Sequence, residues 1–188
     1  MLAIAITDPA LYIRTFGVYA YVYTIDPTVP NYEAHFQWDT IVLDYDRGYW
    51  LQLGYHSNPP YHGRIFYYEV FDSNGSIHQD LQIAPDTGET YKYIIVYTPL
   101  PNWKFIIRQG TTDIYSKEVS VDPYYSKDLQ AFVETTTSSI NIDGTHFSNL
   151  MYYTGQAWPY WDRHYPWVDS PYYLEEISHY EFRAGGGG

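Results

Sequence analysis

Two short stretches place a side-chain amide and a carboxylate on strand faces that suit a wet groove. Successive side chains of a strand point to opposite faces. In Asp128 to Ser139, DLQAFVETTTSS, the residues Leu129, Ala131 and Val133 therefore share an apolar face, and Gln130, Phe132, Glu134 and Thr136 share the other. In Tyr49 to Tyr55, YWLQLGY, the same alternation sets Tyr49, Leu51 and Leu53 against Trp50 and Gln52. A carboxylate can act as general base and then acid, and an amide NH2 can donate to a developing oxyanion. Gln52 and Glu134 could then look into one groove, an amide and an acid together. Glu69, in the middle of RIFYYEVFD, adds a second carboxylate whose like charge would raise the pKa of Glu134 and favour work in acid.

The elements that must position these groups are strands throughout. FGVYAYVYTI, residues 16 to 25, alternates Val18, Ala20, Val22 and Thr24 with Tyr19, Tyr21 and Tyr23, a period of two carried by β-branched and aromatic residues. Further strands are expected over Ala34 to Leu43, Arg64 to Asp72, Thr90 to Thr98, Trp103 to Gln109, Asp113 to Val121, Ser139 to Ile142, His146 to Tyr153 and Leu174 to Phe182. Asn74-Gly75 marks a hairpin. Thr154 to Tyr173, with Trp158, Trp161, Trp167 and three prolines, reads as a structured aromatic loop. No stretch sustains helical periodicity, and about ten short strands in this order predict an all-β, two-sheet antiparallel β-sandwich of jelly-roll type.

The chain has 188 residues, enough for one sizeable core, so residues 1–184 are read as a single domain and Gly185 to Gly188 as a flexible tail or linker remnant. Lys and Arg number 10 against 22 Asp and Glu, a net charge of −12. That balance disfavours nucleic acid and anionic membrane surfaces as partners. The opening MLAIAITDPALYI lacks a basic n-region and is too short in its apolar run for a signal peptide or a membrane span. There is no Cys, which removes disulfides and thiolate metal sites. The seven His lack close ligand spacing, and Asp44 to Gly48 carries only a fragment of a calcium loop, so no metal site and no cofactor is expected. The 24 Tyr and 20% aromatic content suit β-sheet surfaces and binding grooves, a usage met in extracellular or cell-surface proteins.

These motifs, taken in order, resemble the glutamic peptidases (eqolisins), a family with a concanavalin A-like β-sandwich. Trp50-Leu51-Gln52-Leu53-Gly54 is similar to the family's Leu-Gln-x-Gly strand, which carries its catalytic glutamine. Tyr68-Glu69 resembles the Tyr-Glu-Trp strand lining the same groove, with Val70 in place of the tryptophan. Gly88-Glu89-Thr90 followed by Tyr91 to Val96 looks like the Gly-Asp-x-Ile strand entry, and Phe132-Val133-Glu134 like the end of the Ala-Glu-Trp-Ile-Val-Glu strand. The resemblance spans roughly Phe16 to Tyr153 and implies an acid-active endopeptidase with Gln52 and Glu134 as catalytic residues. It also implies that Trp38, Trp50, Tyr68, Glu69, Gln130 and Phe132 bind substrate. In the register that lays Val133-Glu134 on the family's Val-Glu, however, the catalytic glutamate falls on Gln130; only the register using Glu134 keeps an enzyme.

Two other functions fit the same residues. A non-catalytic module could hold a peptide or glycan in an aromatic groove, helped by Trp158, Trp161 and Trp167. Alternatively, Tyr-rich strands could pair with neighbours in a structural surface protein. The residues leave the oligomeric state open.

Overall fold

The structure is a computed structural model describing residues 2–7, 14–99, 102–121 and 126–188. With strands numbered along the chain, one seven-stranded sheet runs, in spatial order, β12 (His164–Val168), β1 (Leu2–Thr7), β10 (Asp128–Thr135), β3 (His35–Asp44), β4 (Tyr49–Asn58), β5 (His62–Asp72) and β6 (Gly75–Asp80). The second sheet, also of seven strands, runs β13 (Tyr172–Ser178), β14 (Glu181–Gly186), β11 (Thr145–Tyr152), β2 (Gly17–Tyr23), β7 (Thr90–Thr98), β8 (Asn102–Gln109) and β9 (Thr112–Ser120). Every named pairing is antiparallel. The architecture is the expected two-sheet β-sandwich.

The core is the interleaving of the two inner faces. Val18, Ala20 and Val22 of β2, Tyr93 and Ile95 of β7, and Trp103, Phe105 and Ile107 of β8 are buried against Ile41, Leu51, Leu53, Leu129 and Ala131 of the first sheet. Alternation therefore sends Trp50, Gln52, Gln130, Phe132 and Glu134 to the outer face of that sheet. Gly54 lies on this outer face as well, paired with Trp38 and with Tyr67. A Cβ there would come within 2.1 Å of the Gln37 carbonyl and 2.6 Å of the Trp38 Cβ, so the absent side chain is what lets the Trp38 strand lie close against β4.

Several expectations are corrected. Gly185 to Gly188 are not a flexible tail: Gly185 and Gly186 pair with Tyr173 and Tyr172, and the Gly188 N–H donates to the Ser138 carbonyl at 3.1 Å. A Cβ at Gly185, Gly186 or Gly187 would stand 2.4, 2.6 or 2.2 Å from Tyr173 Oη, the Pro171 carbonyl or the Ile140 carbonyl. The run is glycine because its backbone threads a crevice with no room for side chains. Ser139 to Ile142 is turn and irregular backbone rather than a strand, and Thr154 to Tyr173 contains β12. The single strand expected over Leu174 to Phe182 is two, β13 and β14, joined by a turn. Leu2–Thr7 and Gly75–Asp80 are also strands, although the sequence did not mark them.

Candidate functional site

The backbone register arranges the outer face of the first sheet in rows. Gln130 pairs with Thr40, Thr40 with Gln52, Gln52 with Glu69, and Glu69 with His78, so five polar side chains cross five strands in one line. One row along lie Phe132, Trp38, Gly54, Tyr67 and Asp80; one row further lie Glu134, Phe36, His56 and Ile65. Gln52 and Glu134 thus share a face but not a row. Two strand spacings separate the Cα atoms of Gln52 and Gln130 by about 10 Å, which two extended side chains span above Thr40. Four residues of rise as well separate Gln52 from Glu134 by roughly 16 Å, too far for both to touch one water.

A groove of about 400 Å3 runs along this face, lined among others by Trp38, Thr40, Trp50, Gln52, Gln130, Phe132 and Glu134. Its walls are aromatic: Trp38 stacks on Phe132 with centroids 5.2 Å apart, and Trp50 stacks on Phe71 at 4.5 Å. Trp38 Nε1, Trp50 Nε1 and Thr40 Oγ1 are buried with no hydrogen-bond partner among the described residues. Such groups cost free energy until something satisfies them. Charge in the groove is acidic, with Asp44 and Glu134 and neither Lys nor Arg among its lining residues. Burial raises the Glu134 carboxyl above its ordinary value. Burial also raises the Tyr45 hydroxyl at the groove's end, which donates to Asp128, while the Gln130 side chain opposes the rise.

The remaining predicted residues divide. Glu69 is on the outer face beside Gln52, and its Oε2 lies 3.3 Å from His78 Nδ1. Tyr68 is corrected: it points inward, is 6% exposed and packs on Phe105 at 5.0 Å, because it alternates with Glu69 on β5. None of Trp158, Trp161 and Trp167 is among the residues lining the groove. Trp161 is in the core, Trp158 stacks on Tyr153 and touches Tyr19 outside the second sheet, and Trp167 is exposed on β12.

Pairing of β4, β5 and β6 also gathers a group that linear spacing hides. His56 Nε2 lies 2.9 Å, and His78 Nε2 3.2 Å, from the same Asp80 Oδ1. Tyr67 stands among them, its ring stacked on His78 at 5.0 Å and edge-on to His56 at 5.4 Å. Its hydroxyl is pushed well up by burial, with the Glu69, Glu134 and Asp80 carboxylates adding to the rise. His164, Glu176 and His179 form a second, more exposed group.

No protein-family model matches the chain, and no curated protein matches it by sequence. Solved structures do match in shape. Scytalido-glutamic peptidase bound to a peptide-based transition-state analogue superposes with a TM-score of 0.69 at 13% identity, covering 100% of this chain and 98% of that one. The same peptidase with a transition-state analogue inhibitor gives 0.69 at 12% identity, over 100% and 97%. SCP-B, a member of the eqolisin family of peptidases in complex with the tripeptide Ala-Ile-His, gives 0.62 at 12%, over 100% and 98%. The fold of this chain is that of the glutamic peptidases.

Proposed function

We propose that the groove binds polypeptide in extended form and does not hydrolyse it. The observation that carries this reading is the row itself, in which the side chain standing across Thr40 from Gln52 is the amide of Gln130. Hydrolysis needs a group that takes a proton from water within reach of the oxyanion donor. An amide cannot take one, Glu134 lies too far along β10, and Glu69, turned toward His78, is not among the residues lining the groove. What remains suits binding. Flat aromatic walls take apolar side chains, unpartnered indole N–H groups and the Thr40 hydroxyl meet backbone carbonyls, and acidic residues favour cationic chains. The peptide-based transition-state analogue and the tripeptide in the matching structures support polypeptide as the ligand class. An extracellular or cell-surface setting goes with this reading.

A second reading, an acid-active peptidase built on Glu134, is favoured by one feature, the raised pKa of that carboxyl in the groove wall. Binding itself is tested by titrating an unstructured Lys-containing peptide by calorimetry. The expected result is one saturable site, weakened about tenfold or more by Phe132→Ala or Trp50→Ala. No binding by the parent, or unchanged binding by both variants, contradicts the proposal.

A further inference from the structure

The geometry of the β4–β5–β6 corner points to a second site, independent of what the groove holds. We infer that His56, His78 and Asp80 bind one divalent transition-metal ion of the zinc class, with Glu69 positioning His78.

The contact between His78 Nδ1 and Glu69 Oε2 at 3.3 Å puts the Nδ1 proton toward that carboxylate. A neutral His78 then presents a bare lone pair at Nε2, and this lone pair faces Asp80 Oδ1 at 3.2 Å. Two acceptors facing each other repel unless a cation joins them. The cation is either a second proton on His78 or a metal. Three observations favour the metal. First, a third donor, His56 Nε2, converges on the same oxygen at 2.9 Å from almost complete burial. Second, one ligand atom from each residue lies within 4.8 Å of the others; tetrahedral zinc with bonds of about 2.1 Å needs ligand atoms about 3.4 Å apart, so small side-chain shifts close the set. Third, the carboxylate behind His78 is the arrangement that fixes a ligating imidazole's tautomer and strengthens it as a donor.

Imidazole and a single carboxylate select zinc, cobalt, nickel or copper over calcium and magnesium. With three protein ligands, the fourth position opens on the exposed side of His78, toward solvent and beside the Gln52 row. The Tyr67 and Phe36 rings against His56 supply an apolar back wall.

The test titrates Co2+ into the full chain in a His179→Ala background, which disables the other His-rich group. The visible spectrum is the readout. One equivalent with strong tetrahedral d–d absorption is expected, displaced by Zn2+. His78→Ala and Asp80→Asn should each weaken it tenfold or more. Glu69→Gln should weaken it about 10–100-fold with the ligand set retained. Unchanged thermal unfolding midpoints without metal show that the variants fold. No saturable uptake would mean a proton only and would overturn the inference, as would uptake equal in parent and His78→Ala.

Discussion

Gln130 and Asp39 are the two residues whose chemistry most constrains this protein. Gln130 carries no titratable group at the position across Thr40 from Gln52, and on the proposed reading the groove holds a peptide with no base placed there to hydrolyse it. Asp39, on the inner face of β3, keeps its carboxyl protonated far above the usual range because it is buried, partly offset by the Ala20 backbone amide. His35 on the same strand is driven the other way by burial, with His56 adding to the effect, down to about 3. The signs then follow. Asp39 costs stability as pH rises above its unfolded value of 3.8, and His35 costs stability as pH falls below 6.5. Where both groups act, their slopes oppose each other. The His35 slope is common to parent and Asp39→Asn, so their difference isolates Asp39. Asp39→Asn should therefore gain stability over the parent progressively as pH rises above the ordinary carboxylate range, read by urea unfolding. A parent-minus-variant difference that does not change with pH would refute this assignment.

Faces of strands were legible in the residues, while partners of strands were not. The alternation in β2, β4 and β10 gave the correct inward and outward sides, since burying Val18, Leu51 or Leu129 is decided locally. β6, GSIHQD, is largely exposed at the sheet edge and carries no apolar alternation, and β12 and β14 are interrupted by Pro166 or end in glycine. Their strand character comes from pairing alone. Register is equally non-local, which is why Gln130 and Glu134 could not be told apart and why His56, His78 and Asp80 looked unrelated. Gly54 records the pairing of β3 with β4 in a single residue. Gly54→Ala should lower stability by about 1–3 kcal/mol through overpacking against Gln37 and Trp38. It should also shift the tryptophan fluorescence of the groove; an unchanged urea midpoint and spectrum would show that the strands have slack.

At the scale of the whole molecule, a sandwich with the peptidase fold offers its outer face as a long, acidic, aromatic trough on a chain of net charge −12. Among the described residues no helix is long and apolar enough to cross a membrane. The direct trial of this account is native mass spectrometry of the chain mixed with an unstructured Lys-containing peptide at acid pH, which weighs complex and fragments together. An intact one-to-one complex and no fragments are expected for the parent, with cleavage appearing on Gln130→Glu. Fragments from the parent that vanish in Glu134→Gln, or no complex at all, would contradict it.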